Sequence, residues 1–373
     1  MQTIRGMNLP TLEKAKVFGK TVFLRADLDV PLSQQSTNNS QQTTITDDTR
    51  LVTALPTIEF LLKHNAKVII TGHLGRPDGI DKNLSLEPIA DWLAKGFKIY
   101  DLRFMKIGGF DGWKIDDNLF LLENLRFYKG EEDNDQEFAR RLARLADIYV
   151  NDAFAVCHRA HASIVGIPKY LPHFAGLHLQ EEVKILSGVL ENPKRPLVVI
   201  IGGAKIETKL PLVEKMRDFA DYVLVGGKIA KELTEILKAQ HQEFEKRKAT
   251  LLVADLNPDG FDITSKSIDS FLQIANLAKT IVWNGPVGLI SSALIHSTSS
   301  GQISKLDTER GTWELAHGII KSKVYSVVGG GDTVGFLRQL RLLDKFSFVS
   351  TGGGAMLEFL SGKNLPGLIA IRL

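Results

Sequence analysis

Glycines and an acid in one short stretch, Val324–Val334 (VYSVVGGGDTV), are residue types that can hold a phosphate group and a divalent cation. The apolar run Val324–Val328 is typical of a buried strand. The glycines that follow it carry no Cβ atom, so a ligand can approach the backbone closely. A helical pattern resumes directly afterwards, and Asp332 or Thr333 is predicted to cap a helix whose free N–H groups attract an anion. Because a carboxylate is a ligand that Mg²⁺ prefers, the stretch predicts a site for a Mg²⁺–nucleotide phosphate tail.

The alternative interpretation is an ordinary strand-to-helix turn with a capping aspartate, since glycine turns are common. Recurrence of the pattern argues against that alternative. Further apolar runs in the C-terminal half end in glycine-containing turns, namely Leu197–Ile201 before GGAK, Tyr222–Val225 before GGK, Thr280–Trp283 before NGP and Phe346–Val349 before STGGG. Such runs, separated by helical stretches, are typical of a parallel α/β sheet, whose ligands bind outside the carboxyl ends of the strands.

The strands predicted in the N-terminal half lead instead into arginine and histidine. They are Val22–Leu24, Val68–Ile70, Leu119–Leu122 and Ile148–Val150, followed in turn by Arg25, by His73 with Arg76, by Arg126, and by His158 with Arg159 and His161. If the strands are parallel, these side chains meet at one rim, which Arg50 can join from a helix that Thr46 or Asp47 can cap. So many cations repel one another unless a multiply charged anion binds among them, and arginine suits phosphate and carboxylate. For any single member, a scattered surface arginine remains the alternative.

Other segments must position these residues. Helices are predicted at Leu86–Leu93 and Glu137–Ala146, and Leu179–Leu190 is predicted to connect two lobes. The segment Ser33–Thr44 contains only Ser, Gln, Thr and Asn, and we expect a mobile loop there. The apolar segment Leu365–Ile371 is predicted to pack back across the lobe junction. The predicted domains are 1–178 with the tail 362–373, a connecting helix at 179–192, and 193–361.

Composition restricts the classes of function. A chain of 373 residues favours two domains, and 44% hydrophobic with 24% charged residues is ordinary for a soluble globular protein. A net charge of +3 is too small to indicate a nucleic-acid surface. The single cysteine, Cys157, allows no intrachain disulfide and indicates a reducing compartment. No apolar signal-peptide segment is visible, and no run approaches the ~18 apolar residues of a membrane span. We therefore expect a cytoplasmic protein without nucleic-acid or membrane partners.

Several common catalytic motifs are absent from the sequence. There is no Walker A pattern, and no G-x-G-x-x-G follows a predicted strand, which weighs against a P-loop enzyme and a dinucleotide oxidoreductase. HExxH and CxxC zinc signatures are also missing. His73, His158 and His161 could be metal ligands, but their arginine neighbours favour an anion site. Cys157 adjoins His158 in basic surroundings and is not predicted to be a catalytic thiol.

Taken together, the chain resembles phosphoglycerate kinase over essentially its whole length. The segments that carry the resemblance are Arg25–Pro31, Ile45–Leu51, His73–Pro77, Leu121–Tyr128, Asn151–Ser163, Gly202–Lys209, Trp283–Gly288, Gly329–Thr333 and Ser350–Ala355. The resemblance implies an α/β protein with two Rossmann-like lobes, each a parallel sheet flanked by helices, joined by a connecting helix and hinge. It implies reversible phosphoryl transfer from 1,3-bisphosphoglycerate to ADP, giving 3-phosphoglycerate and ATP, by a monomer with Mg²⁺ as cofactor. In-line transfer on lobe closure needs no general base.

Site residues follow from the resemblance. Those that match 3-phosphoglycerate positions are Asp27, Arg50, His73, Arg76, Arg126 and Arg159, with Arg25 and His161 in the same basic patch and Asp29 beside them. Those that match nucleotide positions are Gly203, Ala204, Lys205, Lys209, Gly227, Asn284, Pro286, Gly288, Gly331, Asp332 and Thr333. Lys205 and Arg50 are implied to flank the transferring phosphoryl group, and Asp332 to hold Mg²⁺. Backbone N–H donors to that group are implied at Gly330, Gly331, Gly353 and Gly354.

Three positions depart from the family pattern. Asp29 replaces an asparagine, Lys228 replaces the third glycine of a GGG turn, and Ser291 replaces a glutamate that contacts the nucleotide ribose. The polar loop Ser33–Thr44 is also longer than expected. These departures leave one further alternative open, a non-catalytic nucleotide-binding relative.

Overall fold

The structure, a computed structural model, describes residues 8–37, 40–239, 248–290 and 305–372. These residues form two compact units. The first contains the described parts of Ile4–Lys184 and Asn364–Leu373, and the second is Ile185–Lys363. Each unit is a largely parallel sheet flanked by helices, as predicted. The units divide after Lys184 and after Lys363, whereas the lobes predicted from sequence end at 178 and 361.

The first unit is built on a seven-stranded sheet with the strand order β5-β6-β7-β4-β1-β8-β9, beside a separate β2–β3 hairpin. These strands are β1 Thr21–Arg25, β2 Leu32–Thr37, β3 Ser40–Ile45, β4 Lys67–Thr71, β5 Arg103–Ile107, β6 Phe110–Asp116, β7 Leu119–Leu122, β8 Ile148–Asn151 and β9 His173–Ala175. Strands β7, β4, β1, β8 and β9 are parallel neighbours, which confirms the four strands predicted in this half. The residues of β1, β4, β7 and β8 are buried almost without interruption, as expected for parallel strands covered on both faces.

An antiparallel hairpin, β5–β6, extends this sheet at the β7 edge and was not predicted. Its turn is Gly108–Gly109, with φ of 57° and 91°. A Gly-Gly pair between two apolar runs is the sequence signal that could have identified the hairpin. Four of the five residues of β5 are exposed, so this strand lacks the buried apolar pattern by which the others were recognised.

The prediction of a mobile loop at Ser33–Thr44 is wrong. In the structure the described residues of this segment belong to β2 and β3, with antiparallel pairing from Leu32 opposite Ile45 to Thr37 opposite Ser40. Only the ends of the hairpin carry large apolar side chains, and Leu32 and Ile45 pack against the core of the first unit. Backbone pairing, which composition does not report, therefore orders a segment that cannot form a core of its own.

Helices of the first unit follow its strands. They are α1 Thr49–Lys63, α2 Glu87–Gly96, α3 Lys129–Glu132, α4 Gln136–Ala143 and α5 Leu177–Glu191. Short 3₁₀ turns lie at Leu12–Lys14, Lys82–Leu84, Leu125–Phe127, Phe154–Val156 and Ile167–Lys169, and a π turn at Ala162–Gly166. Asp48 is the N-cap residue of α1, one residue after the predicted caps, although the Asp47 carboxylate does accept a hydrogen bond from the Thr49 backbone N–H. Helix α5 contains the boundary between the units.

The second unit is built on a six-stranded parallel sheet with the order β12-β11-β10-β13-β14-β15. The strands are β10 Leu197–Ile201, β11 Tyr222–Val225, β12 Thr250–Val253, β13 Thr280–Asn284, β14 Tyr325–Gly329 and β15 Phe348–Val349. The helices are α6 Ile206–Phe219, α7 Lys228–Ala239, α8 Ser265–Leu277, α9 Lys305–Ser322, α10 Gly331–Gln339 and α11 Gly354–Leu360, with a 3₁₀ turn at Leu343–Lys345. Strand order reverses between β10 and β13, which is where such sheets bind ligands.

The end of the chain belongs to the first unit. Helix α12, Pro366–Ala370, contacts the π turn, and the Gly367 N–H donates to the Cys157 carbonyl at 2.8 Å. Leu365, Leu368 and Ile371 are fully buried there. Among the helices that the structure describes, none has the length and apolarity needed to cross a membrane.

Candidate active site

The predicted cations of the first unit gather at the carboxyl edge of its sheet. Arg25 is the last residue of β1, His73 follows β4, Arg126 lies in the turn after β7, and His161 follows β8. Because these side chains lie close together, their charges shift one another's pKa values. Burial first, then the charges of Arg25, Arg126 and Arg50, lower the pKa of His73 well below its ordinary value. His73 is therefore neutral at physiological pH.

Arg50 is held by two carboxylates. Its Nη1 lies 3.0 Å from both oxygens of Asp27, and 4.0 Å from Oδ2 of Asp29. Asp27 is the larger influence, and together the acids raise the pKa of Arg50. Asp27 is buried whereas Asp29 is 39% exposed, so Asp29 is the carboxylate that a substrate anion would meet. The other Asp29 oxygen accepts a hydrogen bond from the Gly75 N–H at 2.9 Å.

Arg126 is buried beneath the same edge. It donates to the Gly75 carbonyl, and its Nε lies 3.2 Å from a Glu132 oxygen. Burial, the largest cause, and the charges of Arg25 and Arg159 lower its pKa. His161 has its pKa lowered to about 4, by burial first and then by the charges of Arg126, Arg25 and Arg159. Burial therefore keeps these histidines neutral, and the positive charge concentrated at this edge acts in the same direction.

Not all of the predicted basic residues have the same access to a ligand. Arg76 is exposed and Arg159 half-buried, and neither pairs with an acidic side chain among the described residues. Arg25, in contrast, has no exposed surface. It lies beneath the cluster and hydrogen-bonds to Ser163 and His73. Sequence alone did not separate these two groups, because both kinds of arginine follow strand ends.

The second unit contains a cavity of about 280 Å³ at the carboxyl ends of β10, β13 and β14. It is lined by Gly203, Ala204, Lys205, Thr208, Lys209, Asn284, Gly285, Pro286, Gly330, Gly331, Asp332, Gly353, Gly354 and Leu357. Most of the predicted nucleotide residues and all the predicted N–H donors are in this lining. Thr208, Gly285 and Leu357 were not predicted; Gly285 lies inside the NGP turn, which was the available signal.

Glycine is required at the start of α10. The N-cap residue is Gly330, at φ 94°, so neither Asp332 nor Thr333 caps the helix as predicted. A side chain at this φ would be strained, which explains why a glycine and not an acid occupies the cap. Asp332 lies instead in the exposed first turn. Thr333 is buried, and its hydroxyl accepts a hydrogen bond from the Gly285 N–H at 3.1 Å.

Two lysines of different character line the cavity. Lys209 is buried and its Nζ donates to Oδ1 of Asn284. Burial lowers its pKa to about 8, although the Asp332 carboxylate acts in the opposite direction. Lys205 is exposed at the N-cap position of α6, and no described residue forms a hydrogen bond or ion pair with its amine. Lys209 is thus fixed, and Lys205 is available to a ligand.

The remaining predicted residues lie behind or beyond this lining. Gly227 packs against the cavity turns, where a Cβ would lie 2.8 Å from the Gly203 nitrogen and 2.9 Å from the Pro286 oxygen. Gly288 packs against Asp262. Lys228 is exposed at the first residue of α7. Ser291 lies outside the described residues.

Asp262 is a buried acid that sequence reasoning missed. Its oxygens accept hydrogen bonds from the N–H groups of Ile263 and Gly311, and burial raises its pKa to about 6. It fixes the loop and the α9 turn that flank Gly288. No recognised motif marked it, because a single aspartate in a loop is uninformative.

Asp332 is the sole carboxylate among the described residues that line the cavity. No group of three or more His, Cys, Asp or Glu that could hold a metal occurs in the described ranges. One carboxylate beside a glycine-rich helix start suits Mg²⁺, which takes one or two protein carboxylates and completes its shell with phosphate oxygens and water. The donor set therefore fits a metal that arrives with a nucleotide.

Comparisons with known proteins agree over the whole chain. The family model for phosphoglycerate kinase matches residues 12–251 and 235–363. Phosphoglycerate kinase of Leptospira biflexa is 36% identical over 411 residues, covering 97% of this chain and 98% of the relative. The cytosolic phosphoglycerate kinase 3 of Arabidopsis thaliana is 36% identical over 407 residues, covering 97% of each chain.

Solved structures give the same result. Phosphoglycerate kinase from Coxiella burnetii superposes with a TM-score of 0.73 at 34% identity, covering 98% of this chain and 99% of that one. The enzyme from Pyrococcus horikoshii gives 0.76 at 27% identity, covering 97% and 98%. Matches at this identity and coverage, on a fold with a cation cluster in one unit and a glycine-lined cavity in the other, show that the chain belongs to the phosphoglycerate kinase family.

Proposed function

We propose that this chain transfers a phosphoryl group between 1,3-bisphosphoglycerate and ADP using the cation cluster for the glycerate and the glycine-lined cavity for the nucleotide. The observation that carries this assignment is the contrast between the two sites. One concentrates arginine and histidine, whereas the other offers backbone N–H groups, two lysines and a single carboxylate. A multiply charged small acid suits the first, and a nucleotide with its metal suits the second.

In the first unit, Arg76 and Arg159 are the proposed direct cationic contacts to 3-phosphoglycerate, since both lack acidic partners among the described residues. Arg50 is held by Asp27 in a fixed position and would meet the phosphoryl group that transfers. His73, neutral, would donate one hydrogen bond. Arg126 adds to the positive surroundings, which favour a trianion over a neutral sugar, and His161 lies beside it as a neutral ring.

In the second unit, the N–H groups of Gly330, Gly331, Gly353 and Gly354 are the proposed donors to the phosphoryl oxygens. Lys205 would follow the developing charge, and Lys209, fixed by Asn284, would hold a non-reacting phosphate. Asp332 would hold Mg²⁺, which when bound neutralises nucleotide phosphate charge. The attacking β-phosphate oxygen of ADP, or the substrate carboxylate in reverse, is already ionised. Catalysis therefore needs positioning and charge neutralisation rather than a general base.

We further propose that the protein acts as a monomer in the cytosol, as a step of glycolysis. The cytosolic name of the Arabidopsis relative supports the compartment. Lobe closure is part of the proposal, because direct transfer requires the phosphoryl group to reach its acceptor in the absence of water.

The test is a coupled assay with ATP and 3-phosphoglycerate on Lys205→Ala and on a control from the same helix, Lys215→Ala. Loss of a donor to the charge that develops in the transition state lowers turnover by roughly 10²–10³-fold. We expect that loss in Lys205→Ala with KM values little changed, and normal turnover in Lys215→Ala. An unchanged turnover number in Lys205→Ala would remove this residue from the mechanism. Absence of activity in the unmodified protein would instead favour the non-catalytic nucleotide-binding alternative.

A further inference from the structure

Arg25 is completely buried, which is unusual for a residue in a predicted anion site. Its guanidinium is held by protein groups on three sides. Nε donates to the Ser163 hydroxyl at 2.9 Å, Nη1 donates to the Ala26 carbonyl, and Nη2 lies 3.1 Å from Nδ1 of His73. A substrate has no route to a side chain in this position without displacing those partners.

The hydrogen bonds around Arg25 have a fixed direction. Glu131, also completely buried, accepts from the Ser163 N–H at 2.9 Å and from the Ser163 hydroxyl at 2.6 Å. Since the hydroxyl proton is directed at Glu131, a lone pair of Ser163 Oγ remains to accept from Arg25. The Tyr149 hydroxyl donates to the Ser163 carbonyl at 2.7 Å and fixes the same residue from the other side.

The contact with His73 determines where its proton lies. An arginine side chain offers only donors, so His73 Nδ1 must accept, and the ring proton must be on Nε2. That nitrogen lies 3.8 Å from Oδ2 of Asp29, the half-exposed carboxylate at the ligand edge. The charges of Arg126 and Arg50 also disfavour the imidazolium of His73, and His161 would add to this effect only when protonated.

We propose that Arg25 is a positioning residue that fixes His73 as the neutral tautomer with its proton on Nε2, so that the substrate anion receives one neutral hydrogen bond from this ring. The inference about the tautomer stands on the structure alone, whereas the identity of the anion rests on the proposed function. Arg25 thus acts through His73, held in turn by Ser163 and Glu131, and does not touch the ligand.

The direct test is a long-range ¹H–¹⁵N correlation spectrum of the unmodified protein without ligand. The His73 signals are identified by their absence from the spectrum of His73→Gln. We expect Nδ1 to resonate as an unprotonated ring nitrogen and Nε2 as a protonated one, unchanged between roughly pH 6 and 8, where an ordinary histidine titrates. A proton on Nδ1, or an imidazolium in that range, would overturn the proposal. This spectrum is recorded without substrate, so its outcome does not depend on whether the proposed function is correct.

The second test separates positioning from direct contact. Arg25→Lys keeps the positive charge but removes the planar guanidinium that donates to three partners at once. Arg140→Lys, on the exposed face of α4, is the matched control. We expect Arg25→Lys to show a mixture of His73 tautomers and about tenfold weaker 3-phosphoglycerate binding, with ADP binding unchanged. Weaker binding with an unaltered His73 tautomer would show that Arg25 contacts the ligand itself and would overturn the proposal. If Arg25→Lys does not fold, the spectrum of the unmodified protein still decides.

Discussion

The histidines in the cation cluster stay neutral at lower pH than an ordinary histidine, because their surroundings lower their pKa values. His73 and His161 both have lowered pKa values, with burial as the first cause and neighbouring arginines as the second. The charges of the same arginines would attract an anionic ligand to this edge of the sheet. Binding of an anion should therefore favour protonation of His161, since it offsets the arginine charges that are part of the cause of the shift.

Binding of 3-phosphoglycerate should be accompanied by proton uptake at about pH 5. The pKa of His161 is about 4 in the free protein, below the ordinary value of 6.5, so the ring is neutral at this pH. A bound 3-phosphoglycerate anion stabilises the imidazolium and raises the pKa of the ring, so His161 itself binds more protons in the complex than in the free protein. Calorimetric titration in buffers of different ionisation enthalpy measures this uptake. The ligand's phosphate group exchanges protons equally in both proteins, so the contribution of His161 is the difference between the unmodified protein and His161→Gln. We expect fewer protons to be taken up by His161→Gln, and an equal proton change in that variant would assign the proton to another group.

The free energy of unfolding of the ligand-free protein should also depend on His161, and it should decrease as the pH falls. The folded pKa of about 4 lies below the unfolded value near 6.5, so the unfolded chain binds more protons between these limits. His161 therefore lowers stability as pH falls from about 6.5 to about 4. In denaturant melts of the ligand-free protein, His161→Gln should be less sensitive to acid than the unmodified protein over that range. An identical pH dependence in the two proteins would contradict the shift.

Replacing Asp29 by asparagine should tighten 3-phosphoglycerate binding. Asparagine can still accept the hydrogen bond from the Gly75 N–H, but it removes a half-exposed negative charge 4.0 Å from Arg50. Exposed charge pairs are worth up to about 1 kcal/mol, so we expect a gain of about two- to fivefold. Asp91→Asn, at an exposed position of α2, matches the change in net charge and should have no effect. Weaker binding in Asp29→Asn would show that the carboxylate has its own role.

Elements with buried parallel strands were the ones that sequence predicted well. Leu197–Ile201 and Tyr222–Val225 were located with their observed bounds, because a continuous apolar run between glycine turns has few alternative structures. The polar β2–β3 hairpin and the exposed strand β5 were missed, because their sequences lack the apolar run by which the other strands were recognised. Side-chain access was also unpredictable. Arg25 and Arg159 both follow strand ends, and only packing makes one buried and the other half-exposed.

Helix α5 depends on two buried side chains at its N-terminus. The Leu177 N–H donates to the Thr57 hydroxyl and the Leu179 N–H donates to the Asp152 carboxylate, each at 3.0 Å. Asp152 is buried, and burial raises its pKa to about 7. These bonds satisfy backbone groups that the helix itself leaves without partners. Thr57 lies in α1, so the two helices are linked through one hydroxyl.

Thr57→Val should destabilise the protein through α5. Valine keeps the shape but leaves the part-buried Leu177 N–H without its partner and removes the hydrogen bond of the Thr57 hydroxyl to Asp152, at a cost of about 1–2 kcal/mol. Thr53→Val is the control in the same helix, since its hydroxyl donates only to the Arg50 carbonyl one turn earlier. Urea denaturation followed by circular dichroism compares the two. Equal stability of both variants would mean that the Thr57 hydroxyl does not hold α5.

At the scale of the whole molecule, the contrast between the halves of the sequence predicted two kinds of site. Arginine and histidine follow the strands of one half, and glycine follows the strands of the other. The described residues of each compact unit contain one of these sites, assembled entirely from its own elements. Binding of each ligand should therefore respond to changes in one unit only, which gives the predicted domains 1–178 and 193–361 a functional test.

Arg159→Ala should weaken 3-phosphoglycerate binding and leave ADP binding unchanged, and Lys209→Ala should do the reverse. Each substitution removes a charged hydrogen-bond donor, worth about 1.5–3 kcal/mol, or roughly 10- to 150-fold in affinity. Arg144→Ala, an exposed arginine in the first unit, controls for the loss of one positive charge and should alter neither affinity. Calorimetric titration of each ligand alone keeps the two measurements independent, because no turnover is involved. A similar loss of both ligands in either variant would contradict the assignment of one ligand to each unit, whereas opposite losses would establish it.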